Sequence, residues 1–162
     1  MKKIPKTNAM RKLDKLKLDY STSSYDAKDG VDALHVANSL GVPSKKIFKT
    51  IVLEGPHKQH FVAVLSADHE LALKKVAAHF GVKNVQLFPW RELKALTGYI
   101  RGGCSPIGMK RQFPTVIDDV AKNQDTIYVS AGEIGTQIVL APETLAHAVS
   151  ADFAEIRRKK SP

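Results

Sequence analysis

Apolar positions in the first part of the chain recur at helical spacing. Met10, Leu13 and Leu16 line up behind Thr7 or Asn8, either of which can cap, so residues 7–19 predict a helix. YSTSSY (20–25) is rich in hydroxyls and β-formers and predicts a short strand. VDALHVANSLG predicts a second helix with Val31, Leu34, Ala37 and Leu40 inward, stopped by Gly41 with Pro43 beyond. Two β-branched and aromatic runs, 47–53 and 61–65, flank Gly55-Pro56 and predict a hairpin, with His57 and His60 in its turn. DHELALKKVAAHFG predicts a helix capped by Asp68 and ended by Gly81, and VQLF a short strand. PWRELKALTG predicts a helix with Pro89 at its first position and Gly98 at its end. After a glycine-bearing loop, PTVIDD, DTIYVSA and TQIVLA predict three strands, the last two joined by the tight turn GEIG. PETLAHAV predicts a helix and DFAEI a final strand. This order fits one α/β domain over residues 1–162 with a mixed, largely antiparallel sheet, not the regular alternation of a doubly wound fold.

Composition narrows the classes. A chain of 162 residues, 43% hydrophobic and 25% charged, is globular and long enough to bury a core. No apolar run reaches the ~18 residues that a membrane helix needs, and the basic N-terminus lacks the apolar core of a signal peptide, so the expected location is cytoplasmic. The single cysteine excludes an internal disulfide framework and most cysteine-based metal sites. The formal net charge of +9 favours a polyanionic partner, nucleic acid above all, although a merely soluble basic surface carries the same charge. Basic residues cluster at Lys2, Lys3, Lys6, Arg11, Lys12, Lys15 and Lys17, at 157–160, and at Lys110-Arg111.

That last pair follows the candidate chemistry, GYIRGGCSPIGMKRQFP (98–114). Gly103 and Gly108 have phosphate-loop separation, but Met109 precedes Lys110, no magnesium-binding hydroxyl follows, and Pro106 removes a backbone donor. Cys104 as a nucleophile needs a general base, and none of the six histidines falls in a catalytic motif. HExxH and GxSxG are absent, and His57-x-x-His60 lacks a third ligand, so no metal and no cofactor is expected. What remains is backbone: glycines let main-chain N–H groups approach a carbonyl oxygen or a developing oxyanion, and a plain surface connection is the competing reading.

FKTIV (48–52), GYIRGGCSPIG (98–108), FPTVID (113–118) and IYVSAG (127–132), in this order and at these separations, resemble the YbaK/EbsC family of aminoacyl-tRNA deacylases, relatives of the editing domain inserted in bacterial prolyl-tRNA synthetases. The resemblance runs from Tyr25 to the last helix. It implies a compact α/β domain with a curved, barrel-like mixed sheet and surrounding helices. It implies trans-editing of mischarged tRNA, above all Cys-tRNA(Pro) and also Cys-tRNA(Cys), with aminoacyl-tRNA as substrate and prolyl-tRNA synthetase as a candidate partner. The family's required lysine falls on Lys49 and the following threonine on Thr50. Its glycine-proline loop falls on Gly102, Gly103, Cys104, Ser105 and Pro106, with Lys49 and Gly102 expected to carry catalysis. Tyr25 matches a tyrosine bordering the pocket, and Ser130, followed by Gly132, matches a serine at its far wall. The resemblance also implies that a cysteinyl substrate can supply its own thiol as nucleophile. The protein then contributes position and electrostatics, including N–H groups of residues 102–105, and Cys104 is a bystander.

Two departures bear on substrate. Glu133-Ile134 stands where a basic pair is expected, and KDGVDALHV (28–36) lacks an aromatic residue that some relatives carry near the pocket. The competing function is a non-catalytic module that binds tRNA or a synthetase. It would not need the lysine and the loop together.

Overall fold

The structure is a computed structural model that describes residues 5–159. Among the described residues eight strands fall into two sheets. The smaller has the order β1-β7-β6, all antiparallel: β1 (Ser21–Ser24), β7 (Thr136–Leu140) and β6 (Ile127–Ser130). The larger has the order β4-β2-β3-β5-β8: β4 (Gln86–Leu87), β2 (Phe48–Glu54), β3 (His60–Ser66), β5 (Thr115–Asp118) and β8 (Asp152–Ala154). Antiparallel β2–β3 and β2–β4 pairs meet parallel β3–β5 and β5–β8 pairs there, so the sheet is mixed. The one curved, barrel-like sheet that was expected is not formed. Among the described residues a single bridge, Ile47 to Tyr128, joins the two sheets, and β4 and β8 leave the larger sheet with open edges. Without a continuous ladder around the molecule nothing closes it into a barrel.

β3 explains why the sequence around 61–65 is apolar at every position and not at alternate ones. Val62 and Val64 join the main core with Met10 and Leu13 of α1 (Asn8–Lys15), Ile127, Ile138, and Leu145 of α5 (Pro142–Val149). Phe61, Ala63 and Leu65 face the opposite way, against Val76 and Ala77 of α3 (Leu73–Phe80). A strand covered on both faces has no polar face to show. Leu65 is fully buried, so Leu65→Ala would cost about 2–5 kcal/mol. Tyr25, Ile47, Val36 and Ala37 form a third, smaller cluster with α2 (Ala33–Leu40).

Several local expectations are corrected. The first helix ends at Lys15, because Lys17 takes a left-handed φ of 58°. Thr7 is its cap. Leu34 points to solvent at 54% exposure and Val31 precedes the second helix, whose inward face is Val36 and Ala37. Asp68 does not cap the third helix: it sits in a turn, and residues 70–72 then run out to pair with the C-terminal segment, Leu71 bridging Arg157 and Ala72 N–H donating to Ile156 O. His60 lies in β3, the turn being made at His57 and Lys58. The segment after Pro89 splits into a 3-10 turn, Trp90–Glu92, and a short α4 (Leu93–Thr97).

Candidate functional site

A cavity of about 210 Å³ opens where the smaller sheet meets the start of β2. Lys49, Thr50, Gly102, Cys104 and Ser130 all line it, drawn from β2, the glycine loop and the end of β6. Val36, Ile47 and Phe48 form its apolar wall. Lys49 and Thr50 pair with Leu65 and Val64 of β3, which fixes their backbone on that side; β4 joins β2 only further along, at Leu53 and Glu54. Lys49 Nζ donates to His69 O at 3.2 Å, and His69 is itself anchored through Nδ1 to Ser66 Oγ and Asp68 Oδ1.

The loop is held from behind. Tyr99 Oη donates to Ile107 O at 2.8 Å, and Ser105 Oγ accepts from Ile107 N at 3.2 Å. Ser105 is therefore an internal brace, fully buried, and with buried Pro106 it lies outside the cavity wall. Gly102 has φ 87°, and a Cβ there would stand 2.9 Å from Val31 Cγ2, so only glycine fits. Gly103 is used for close approach to the Glu133–Ile134 backbone, and its N–H donates to Ile100 O at 3.0 Å. Of the N–H groups expected to face a substrate, that of Gly103 is committed to a turn. Those of Gly102 and Cys104, both at the cavity, have no hydrogen-bond partner among the described residues.

Cys104 lacks the activation that a thiol nucleophile needs. Burial pushes its thiol up to about 12, and no histidine is among its hydrogen-bond partners. Ser130 Oγ accepts from Gly132 N at 3.2 Å, while Gly132 packs under the Tyr99 ring and not at the cavity. Glu133 is turned inward, accepting from Thr136 Oγ1 at 3.1 Å. Among the described residues no group of three His, Cys, Asp or Glu side chains sits close enough to hold a metal ion.

Two lining residues escaped the sequence reading. Gln137 is 4% exposed and its Oε1 has no partner; Thr50 Oγ1 and Tyr25 Oη are buried and unpartnered as well. These three orphans gather at one place: Thr50 and Gln137 line the cavity, and Tyr25 packs with Val36 and Ile47 just behind it. Leaving a buried polar atom unpaired costs about 1–3 kcal/mol, so three such atoms beside one cavity point to partners supplied from the cavity, by water or by a ligand. The available signal was a glutamine inside the apolar strand TQIVL, opposite Ser130 in the register. Asp32, the second, caps α2 and lines the cavity mouth. The hydrogen bond from His35 N–H, followed by that from the His35 ring, holds its carboxyl below the ordinary carboxylate value. Its signal was the N-cap position itself.

Comparison with known proteins gives a consistent picture. The family model of the aminoacyl-tRNA editing domain matches residues 27–148. The chain is 46% identical over 156 residues to the Enterococcus faecalis protein EbsC, provisionally named a Cys-tRNA(Pro)/Cys-tRNA(Cys) deacylase, covering 96% of this chain and 95% of that one. It is 29% identical over 98 residues to the proline–tRNA ligase of Trichlorobacter lovleyi, 60% of this chain but 17% of the ligase. In structure it superposes on the hypothetical protein APE2540 with a TM-score of 0.86 at 21% identity, covering 94% of this chain and 100% of that one. It also superposes on a protein provisionally described as a trans-editing enzyme for prolyl tRNA synthetase, with a TM-score of 0.83 at 19% identity over 94% and 96% of the two chains.

Proposed function

This chain belongs to the aminoacyl-tRNA editing domain family, and from that premise we propose that it is a trans-acting deacylase that removes mischarged amino acids, cysteine above all, from tRNA(Pro) and also from tRNA(Cys). The observation that carries this reading is the single cavity that collects Lys49, Thr50, Gly102, Cys104 and Ser130 around unpartnered buried polar atoms. A cavity of about 210 Å³ suits an aminoacyl group and not a folded RNA element, so the tRNA body stays outside.

The parts match the demands of ester cleavage. The substrate's α-ammonium is a donor-only group, and the oxygen of a glutamine side chain is acceptor-only. Gln137 Oε1 takes one ammonium N–H, and the Asp32 carboxylate at the mouth balances its charge. The free N–H groups of Gly102 and Cys104 receive the ester carbonyl oxygen as negative charge develops on it. Lys49, tethered by the His69 carbonyl, holds the terminal ribose or its phosphate so that the ester sits against the loop. For a cysteinyl ester, the substrate sulfur attacks the carbonyl carbon, the carbon–oxygen bond to the ribose breaks, and the thiol proton ends on the ribose hydroxyl. The products are free tRNA and a cyclic thiolactone, with no enzyme nucleophile required. Tyr25, Gly103, Ser105, Pro106 and Gly132 serve as supports behind the wall. Residues 1–162 work as one deacylase domain beside the translation machinery in the cytoplasm, with prolyl-tRNA synthetase supplying tRNA identity. No helix among the described residues is long and apolar enough to cross a membrane.

The deciding experiment measures deacylation of Cys-tRNA(Pro), Ala-tRNA(Pro) and Pro-tRNA(Pro) by the wild type, Lys49→Ala and Cys104→Ala. Wild type and Cys104→Ala are expected to clear the cysteinyl ester and Lys49→Ala to fail. A wild type that clears none of the three would leave a non-catalytic tRNA- or synthetase-binding module.

A further inference from the structure

Past Lys49 and Thr50, β2 opens on a second and larger groove of about 600 Å³. Its floor is β2, and its far wall carries Leu87, Trp90 and Arg101. Trp90 stands 54% exposed and Leu87 64%, a large apolar surface left without cover. Two guanidinium groups lie over the indole: Arg91 at 5.3 Å and Arg101 at 5.7 Å from the ring centroid. Among the described residues no carboxylate lines the groove, whereas Lys49 and Arg101 do.

The groove adjoins the aminoacyl cavity. Lys49 and Thr50 line both, and consecutive loop residues divide between them, Gly102 on the cavity and Arg101 over Trp90. A ligand whose reactive end sits at Gly102 lies one residue along the loop from Arg101. The geometry points to a nucleobase-stacking site: Trp90 takes a base of the single-stranded 3′ end of tRNA, next to the terminal aminoacylated nucleoside, the base displacing a guanidinium from the ring and Arg91 and Arg101 turning to its phosphates. The assignment rests on the deacylase reading of the neighbouring cavity. An indole face accepts any base, because every base has a π-face, and the neighbouring cations match a phosphate chain. Such a site adds affinity for every tRNA end and none for tRNA identity. That division fits a protein whose cavity admits only the aminoacyl group.

Trp90 is the sole tryptophan, so intrinsic fluorescence reads this site alone. Wild-type protein is titrated with the RNA trinucleotide CCA, with a 12-nucleotide single strand ending in CCA, and with a blunt RNA duplex at equal phosphate concentration. Saturable quenching by the two single strands, weaker with the duplex and weakening as salt rises, is expected. By anisotropy of the labelled 12-nucleotide strand, Trp90→Ala should lose about tenfold in affinity or more, and Trp90→Phe should recover most of it. Absence of quenching by the single strands, quenching as strong by the duplex, or wild-type affinity in Trp90→Ala each overturns the assignment. A protein segment as the true occupant would give the first of these. Wild-type deacylation separates the two ideas. Quenching with no deacylation sinks the enzyme reading and leaves the stacking site, while deacylation without quenching does the reverse.

Discussion

Gln137→Met should make this protein more stable and less active. The side-chain oxygen of Gln137 is buried without a partner on β7, in a chain where that cost falls beside a cavity. Methionine keeps the length and removes the acceptor. Relief of an unpaired buried acceptor is worth about 1 kcal/mol, the low end of its range, since the thioether is placed beside a partly polar cavity wall. In a domain of this size that raises Tm by about 2–4 °C. Activity should move the other way. A hydrogen bond to a charged group contributes about 1.5–3 kcal/mol, so losing the acceptor for the substrate ammonium should lower kcat/KM about ten- to hundredfold. The assays are thermal unfolding by circular dichroism and single-turnover deacylation of Cys-tRNA(Pro), on the same preparation. A fall of several degrees in Tm with kcat/KM unchanged would refute the reasoning, because it would mean that the oxygen serves the fold and not a ligand.

Other outcomes follow from the same geometry. Lys49→Met should lower kcat/KM about a hundredfold or more through lost positioning, with Tm within a few degrees of wild type; retention of activity would remove Lys49 from the site. The Cys104 thiol should react with a disulfide reagent at pH 8 at least a hundredfold more slowly than free cysteine, since a value of about 12 leaves roughly one part in 10⁴ ionised. Folding stability should fall above pH 9. Cys104 ionises near 9.0 when unfolded and near 12 when folded, and Tyr99, pushed up by its burial, near 10.0 and about 12, so both stay protonated in the fold and their contribution, complete below pH 9, is lost as pH rises towards 12. Cys104→Ala should flatten that fall in denaturant melts at pH 8, 9.5 and 11. Arg157→Met should cost about 3 kcal/mol, because it strands the fully buried Asp118 carboxylate, bonded to Arg157 Nη1 at 3.1 Å and otherwise to the N–H groups of Ile156 and Val120. An unchanged Tm would show that the backbone donors suffice.

Much of the frame was legible because its causes are local. The strands expected over 47–53, 61–65 and 125–131 form within two residues of those limits, and these strands, the glycine ends of the helices at Gly41, Gly81 and Gly98, and the proline start of α5 follow from nearest-neighbour sterics and hydrogen bonding. The misses share one cause. Asp68 fits a cap by type, yet the chain beside it is drawn out to pair with residues 156–157, almost ninety positions away. Arg157 counts as part of a basic patch in the sequence, but its guanidinium is spent on Asp118 and Asp119 inside the molecule. Ser105 fits a substrate-facing hydroxyl by position in the motif, and the loop turns it inward as a brace for Ile107.

By itself the sequence determined the element types, their order, the basic character of the chain, and a lysine-threonine pair and glycine loop recognisable as parts of one family. Only the tertiary structure decided that those parts share a cavity with Asp32 and Gln137, that the Gly103 N–H is already committed, and that the strands split into two sheets joined through Ile47 and Tyr128. The physical reason is range. Caps, turns and periodicity act over a few residues. Whether a buried oxygen ends up with a partner depends on chain segments that meet only when the core closes.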